Sequence, residues 1–125
     1  MPDEDTRRCP PDGWLCLGLM SGTSVDGLDA AVVRVDAEHK AGPASCPNSY
    51  AWKAQLEHTT TLDYPEALRR DLWQAMELSA VDLLRLDKRW ATWASEAVAA
   101  WLEEVKVPLT ALSVAGSHGH TVHHR

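Results

Sequence analysis

No stretch of this chain supplies the roughly 20 consecutive apolar residues that a helix needs to cross a bilayer. The opening residues, MPDEDTRRCPPDG, lack the apolar core of a secretory signal. There is no basic stripe. Twelve lysines and arginines face 18 aspartates and glutamates, a formal charge of −6 over 125 residues, which argues against nucleic acid or an anionic membrane as a partner. Cysteine is scarce: Cys9, Cys16 and Cys46 are widely separated and never form CxxC, so reduced thiols in a cytoplasmic protein are expected rather than a disulfide framework. The length suits one modest domain with a single core.

What is present is organised around Leu17–Asp29, which reads LGLMSGTSVDGLD. The apolar run Trp14–Leu19 gives way to glycine, hydroxyl and acidic residues, and an apolar run resumes over Leu28–Val35. That pattern predicts a β-hairpin with a polar turn. Gly22 and Gly27 are free to take φ > 0 and to let a ligand approach the backbone. The hydroxyls of Ser21, Thr23 and Ser24, together with the turn amides, would suit phosphate oxygens. Asp26 and Asp29 fit beside a phosphate only with a divalent cation or a sugar hydroxyl between. An ordinary hairpin with a polar turn fits the same composition.

Met1–Gly13 is charged, proline-bearing and aperiodic, and is expected to be a disordered lead-in to a domain spanning Trp14–Arg125. Trp14–Leu19 and Leu28–Val35 are apolar on both faces and read as central strands. Asp36–Ser49 reads as a loop, punctuated by Gly42, Pro43, Pro47 and Asn48. Tyr50–His58 alternates, with Tyr50, Trp52, Ala54 and Leu56 expected on a core face and Lys53, Gln55 and Glu57 toward water. Pro65 and Glu66 open a helix on which Leu68, Leu72, Trp73 and Met76 recur. Ser79 and Asp82 form a variant capping box before a long helix. Its expected inner side carries Leu83, Leu86, Trp90, Trp93, Ala97, Trp101 and Leu102, with Arg89, Glu96, Glu103 and Glu104 solvated. The tryptophans read as packing residues rather than a base-stacking platform. Pro108 bars helical continuation, Leu109–Ala115 reads as a strand, and Gly116–Arg125 as a loop. Three strands, then helices, then a strand predict an α/β fold, a meander feeding a later strand through a helical crossover.

Two motifs carry a resemblance. GLMSGTSVDGLD resembles the N-terminal signature of the anhydro-N-acetylmuramic acid kinases. Gly116–Arg125, GSHGHTVHHR, resembles that family's second conserved segment, with His120 where the family carries glutamine. The resemblance covers the chain from Trp14 onward, as the N-terminal portion of a longer protein. It implies the ribonuclease H-like N-terminal lobe of the sugar kinase, actin and Hsp70 ATPase superfamily, an antiparallel three-strand meander with helices and a further parallel strand. It implies transfer of the γ-phosphoryl of ATP to 1,6-anhydro-N-acetylmuramic acid, with water opening the anhydro bridge to give N-acetylmuramic acid 6-phosphate, a step of peptidoglycan recycling. It assigns Gly22, Thr23, Ser24, Val25, Asp26, Gly27, Leu28 and Asp29 to the ATP phosphates, with Mg²⁺ held through Asp26 or Asp29. His118, Gly119 and Thr121 fall on the sugar side. The family's catalytic aspartate belongs to a later segment, so this stretch alone is expected to be inactive. Two other readings remain open. His118, His120, His123 and His124 could hold a transition metal, since His118 and His120 would share one side of an extended strand. The chain could also be a non-catalytic nucleotide-binding or association module, with an exposed face driving homodimers.

Overall fold

Strand β1 (Trp14–Ser21) has a strand's alternation: Leu15, Leu17 and Ser21 are buried on one face, while Gly18 and Met20 on the other are exposed. The computed structural model describes residues 9–42 and 48–123. Strand β2 (Gly27–Ala41) pairs antiparallel with β1, and β3 (Asn48–Asp63) pairs antiparallel with β2. Strand β4 (Val114–His120) returns parallel to β1, giving the order β3-β2-β1-β4. The fold is therefore α/β, with the expected meander, a helical crossover and both apolar strands at the centre of the sheet. Helices α1 (Glu66–Trp73) and α2 (Ala80–Glu104) cover one face. There Leu15, Leu17, Leu28, Ala30 and Val32 of the sheet form a core with Leu68, Leu72, Leu86, Val98, Trp101 and Leu102 of the helices.

The expected loop over Asp36–Ser49 is mostly strand. Pairing continues from Asp36↔Lys53 to Ala41↔Asn48, because polar residues can complete a backbone ladder without a hydrophobic pattern to advertise it. Residues 43–47 lie outside the described residues. Met1–Arg8 of the expected lead-in and His124 of the histidine tract also lie outside them. Within the rest of the lead-in, Gly13 N–H donates to the Pro10 carbonyl at 2.9 Å, and the Asp12 carbonyl accepts from Arg34 Nη1 at 2.8 Å.

Strand β3 is an edge strand, but its alternating apolar residues do not face the helices. Val32 pairs with His58 and Val33 with Leu56, so Glu57 is an extra residue in β3. A one-residue slip exchanges the faces of everything beyond it. Leu56 and Trp52 thus lie on the side away from the core, 57% and 65% exposed, where Trp52 meets the Trp14 ring at a centroid distance of 6.0 Å. Gln55 pairs with Arg34 on the opposite side, and Arg34 is bound by the bulged Glu57.

Helix α2 begins as expected: Ser79 Oγ accepts from Asp82 N–H at 3.1 Å. It ends before Pro108, in a Schellman motif. Lys106 takes φ 60°, Val107 N–H reaches the Leu102 carbonyl at 2.9 Å and Lys106 N–H reaches that of Glu103 at 3.1 Å. Leu86, Trp101 and Leu102 are buried and Trp90, Trp93 and Ala97 half-buried, but Leu83 is exposed. Leu83 belongs to the first turn, which lies over a cleft rather than over the sheet. Trp73 and Met76 are also exposed, because α1 stops at Trp73 and a 3₁₀ turn follows (Ala75–Glu77). The last strand is displaced from its expected position. Leu109–Ala111 forms a 3₁₀ turn, and Cys16↔Val114 starts a parallel ladder that takes in residues read as loop. Its glycine content hid this strand, yet Gly18 pairs with Gly116 without a steric need for either side chain.

Candidate functional site

The β1–β2 connection, residues 22–26, is a tight turn. Val25 N–H donates to the Gly22 carbonyl at 3.2 Å. The residue in the left-handed region is Val25, φ 53°, whereas Gly22 and Gly27 do not have positive φ. A β-branched residue is costly there, and burial of the Val25 side chain in the core holds it in place. Gly27 is required for space instead: a Cβ on it would lie 2.6 Å from the Leu62 carbonyl oxygen.

This turn stands beside the end of β4. Between Leu19↔Ser117 and Ser21↔His120, β4 gains one residue, accommodated by Gly119 at φ 74°. The bulge brings His120 opposite Ser21. The Ser21 hydroxyl lies 2.8 Å from His120 Nδ1 and is also bonded to the Tyr64 hydroxyl. Trp90 Nε1–H donates to the same Tyr64 oxygen at 2.9 Å, and Thr121 N–H donates to the Ser21 carbonyl at 3.0 Å. Ser21 is buried and its hydroxyl is engaged by Tyr64 and His120, which departs from the phosphate-donor role its residue type predicts. Burial also lowers the pKa of His120 below the ordinary 6.5 by penalising the charged ring.

A cleft of about 490 Å³ opens between the two motifs. Thr23 and Val25 line it from the turn, and His120, Thr121, Val122 and His123 from the end of β4. Trp73 and Met76 form an apolar wall. A second cleft shares His120 and contains Gly119, Leu83, Asp87 and Trp90. Thr23, Ser24 and Asp26 are exposed on the turn, and Leu28 is wholly buried. Asp29 lies on the other sheet face, where Thr61 Oγ1 donates to it at 2.6 Å. His118 is exposed and precedes the bulge, so it does not share a side with His120. Among the described residues, which do not include His124, no group of three His, Cys, Asp or Glu is placed to hold a metal ion. Nor is any helix among them long and apolar enough to cross a membrane.

Comparison with known proteins gives this geometry its context. The sequence model of the anhydro-N-acetylmuramic acid kinases matches residues 14–125. The chain belongs to that family. An anhydro-N-acetylmuramic acid kinase of Bordetella petrii is 36% identical over 121 residues, covering 94% of this chain and 29% of the relative. Those of Xanthomonas campestris pv. campestris and Crocosphaera subtropica are 39% and 34% identical, covering 89% and 88% of this chain but 28% and 26% of the relatives. The chain thus spans less than a third of the length of the curated kinases it matches, and the match includes both motifs that flank the cleft.

Sequence reasoning missed Tyr64 and Trp90. Tyr64 lies between a strand and a helix and carried no periodic signal, and Trp90 read only as packing. The spacing of Trp73 and Met76 predicts the apolar stripe of a helix, yet both line the cleft.

Proposed function

We propose that this chain supplies the nucleotide-phosphate end of an ATP-dependent kinase acting on 1,6-anhydro-N-acetylmuramic acid. The observation that carries the reading is the junction at Ser21. Its hydroxyl and carbonyl tie His120 and Thr121 of the second motif directly to the base of the turn that holds the first. The turn amides and the Thr23 and Ser24 hydroxyls donate to phosphate oxygens, with Gly22–Asp29 as the phosphate motif. MgATP is the substrate form. Asp26, exposed on the turn, fits a water-mediated contact to the cation, while Asp29 is directed to the other face and held by Thr61. Thr121 and Gly119 serve the sugar side with His118 at its margin. Phosphoryl transfer depends chiefly on such positioning and charge neutralisation, and transfer with opening of the anhydro bridge is assigned to a polypeptide of the relatives' length, working in cytoplasmic peptidoglycan recycling.

The test is amide hydrogen exchange of the 125-residue chain with and without saturating MgATP. Residues 22–29 should gain protection, while β3 beyond the bulge should not change. A folded chain whose turn exchanges identically in both conditions refutes the proposal. Mixed with ATP and the anhydro sugar, the same chain should bind nucleotide without efficient turnover.

A further inference from the structure

The hydrogen bonds around Ser21 have a direction. Trp90 Nε1 is a donor only, so the Tyr64 oxygen must accept from it. The Tyr64 proton then has one partner among the described residues, the Ser21 oxygen. The Ser21 proton is left for the remaining contact, His120 Nδ1 at 2.8 Å. In the opposite direction Ser21 would donate to Tyr64, and the buried Tyr64 proton would have no acceptor, a costly arrangement. The relay therefore runs from Trp90 through Tyr64 and Ser21 to His120. A neutral imidazole that accepts at Nδ1 carries its proton on Nε2. That nitrogen has no partner among the described residues, and His120 borders both clefts.

We infer that His120 is locked as the Nε2–H tautomer and donates that proton to an acceptor oxygen of the bound ligand, making it a specificity residue at the junction of the two motifs. The relay makes Tyr64, Trp90 and Ser21 positioning residues. A glutamine amide can rotate to offer either a donor or an acceptor, whereas this imidazole offers only a donor. The ligand contact rests on the reading of the cleft as a kinase site, but the tautomer does not. The titratable groups around the ring are Tyr64 from the end of β3, Asp87 from α2 and His123 beyond β4. Lowering of the His120 pKa by burial is consistent with a neutral ring.

Long-range ¹⁵N–¹H correlation of the imidazoles in the ¹⁵N-labelled chain near neutral pH tests the tautomer, with the His120 signal assigned by its loss in His120→Gln. The Nε2–H form should dominate, exceeding the preference free histidine already has for that tautomer by roughly five- to tenfold, the equivalent of one net hydrogen bond. Trp90→Phe removes the donor that sets the direction, and Tyr64→Phe removes the relay oxygen, so each should bring the tautomer ratio down toward that of free histidine. Loss of packing alone would not move that ratio. A dominant Nδ1–H form, an imidazolium, or a ratio unchanged in both variants overturns the inference. Ligands are then added separately. A shift of the Nε2 resonance with MgATP identifies a phosphate oxygen as the acceptor, and a shift with the anhydro sugar identifies a sugar oxygen. If the turn amides respond to MgATP while Nε2 responds to neither ligand, the donor role fails and the nucleotide site stands. If the tautomer is as stated but the turn ignores MgATP, the kinase reading fails instead.

Discussion

Gly27→Ala should uncouple the hairpin from the cleft. An alanine Cβ there would lie 2.6 Å from the Leu62 carbonyl oxygen and 2.8 Å from the Thr61 methyl, so β2 and β3 must separate by about 0.8 Å to reach the 3.4 Å of ordinary contact. The obstructing oxygen is backbone and cannot rotate aside. Overpacking of this kind costs about 1–3 kcal/mol. Removing a glycine from the unfolded chain returns about 0.4–1 kcal/mol. The net loss should be about 1–2 kcal/mol, moving the urea midpoint down by roughly 0.5–1 M for an m-value near 2 kcal/mol/M. Displacement at Leu62 and Asp63 also pulls on Tyr64, the next residue, and through it on Ser21 and His120, so MgATP protection of the turn should weaken as well. Gly18→Ala is the control: a Cβ there meets nothing within 4 Å, and its stability should change little. Equal urea midpoints for the two variants would refute the account of Gly27 as a residue required for space.

The remaining predictions concern charge, capping and core packing. Because the folded-state pKa of His120 is depressed below 6.5, its contribution to stability is complete above the unfolded value and declines as pH falls toward the folded one. Urea midpoints measured between about pH 7.5 and 5.5 should therefore fall more for the wild type than for His120→Gln; equal falls would contradict the assignment. Ser79→Ala removes the acceptor of the Asp82 amide and should cost about 1 kcal/mol in urea unfolding. Lys106→Gly relieves a left-handed residue in the Schellman turn, φ 60°, and should raise stability by about 0.5–1 kcal/mol, the left-handed cost less the added freedom of the unfolded chain. Leu102→Ala, at a side chain 1% exposed in the core, should cost about 2–5 kcal/mol.

Much of the fold was legible because its signals are local. The apolar run of β1, the Ser79 cap and the spacing of Leu68 and Leu72 each depend on neighbours within a turn or two. The errors came where distant partners intervene. Nothing in Tyr50–His58 reveals that Glu57 is an extra residue, because the slip exists only relative to β2. Gly116–His120 looks like a loop until β1 provides a parallel ladder for it. At the site, the glycine and hydroxyl turn could be read from its residues, but the assignment of φ > 0 to Gly22 and Gly27 could not. Val25 takes that conformation because its side chain has a core to enter.

The sequence by itself determined the family, the α/β order of elements and the two motifs, since these rest on residue identity and short-range periodicity. Only the tertiary structure decided that the two motifs meet. Ser21 and His120 are 99 residues apart, and only parallel pairing of β4 with β1, shifted by the bulge at Gly119, brings the buried hydroxyl to the imidazole. The direction of the proton relay was likewise beyond the sequence, because it depends on Tyr64 and Trp90 converging from separate elements on one oxygen atom.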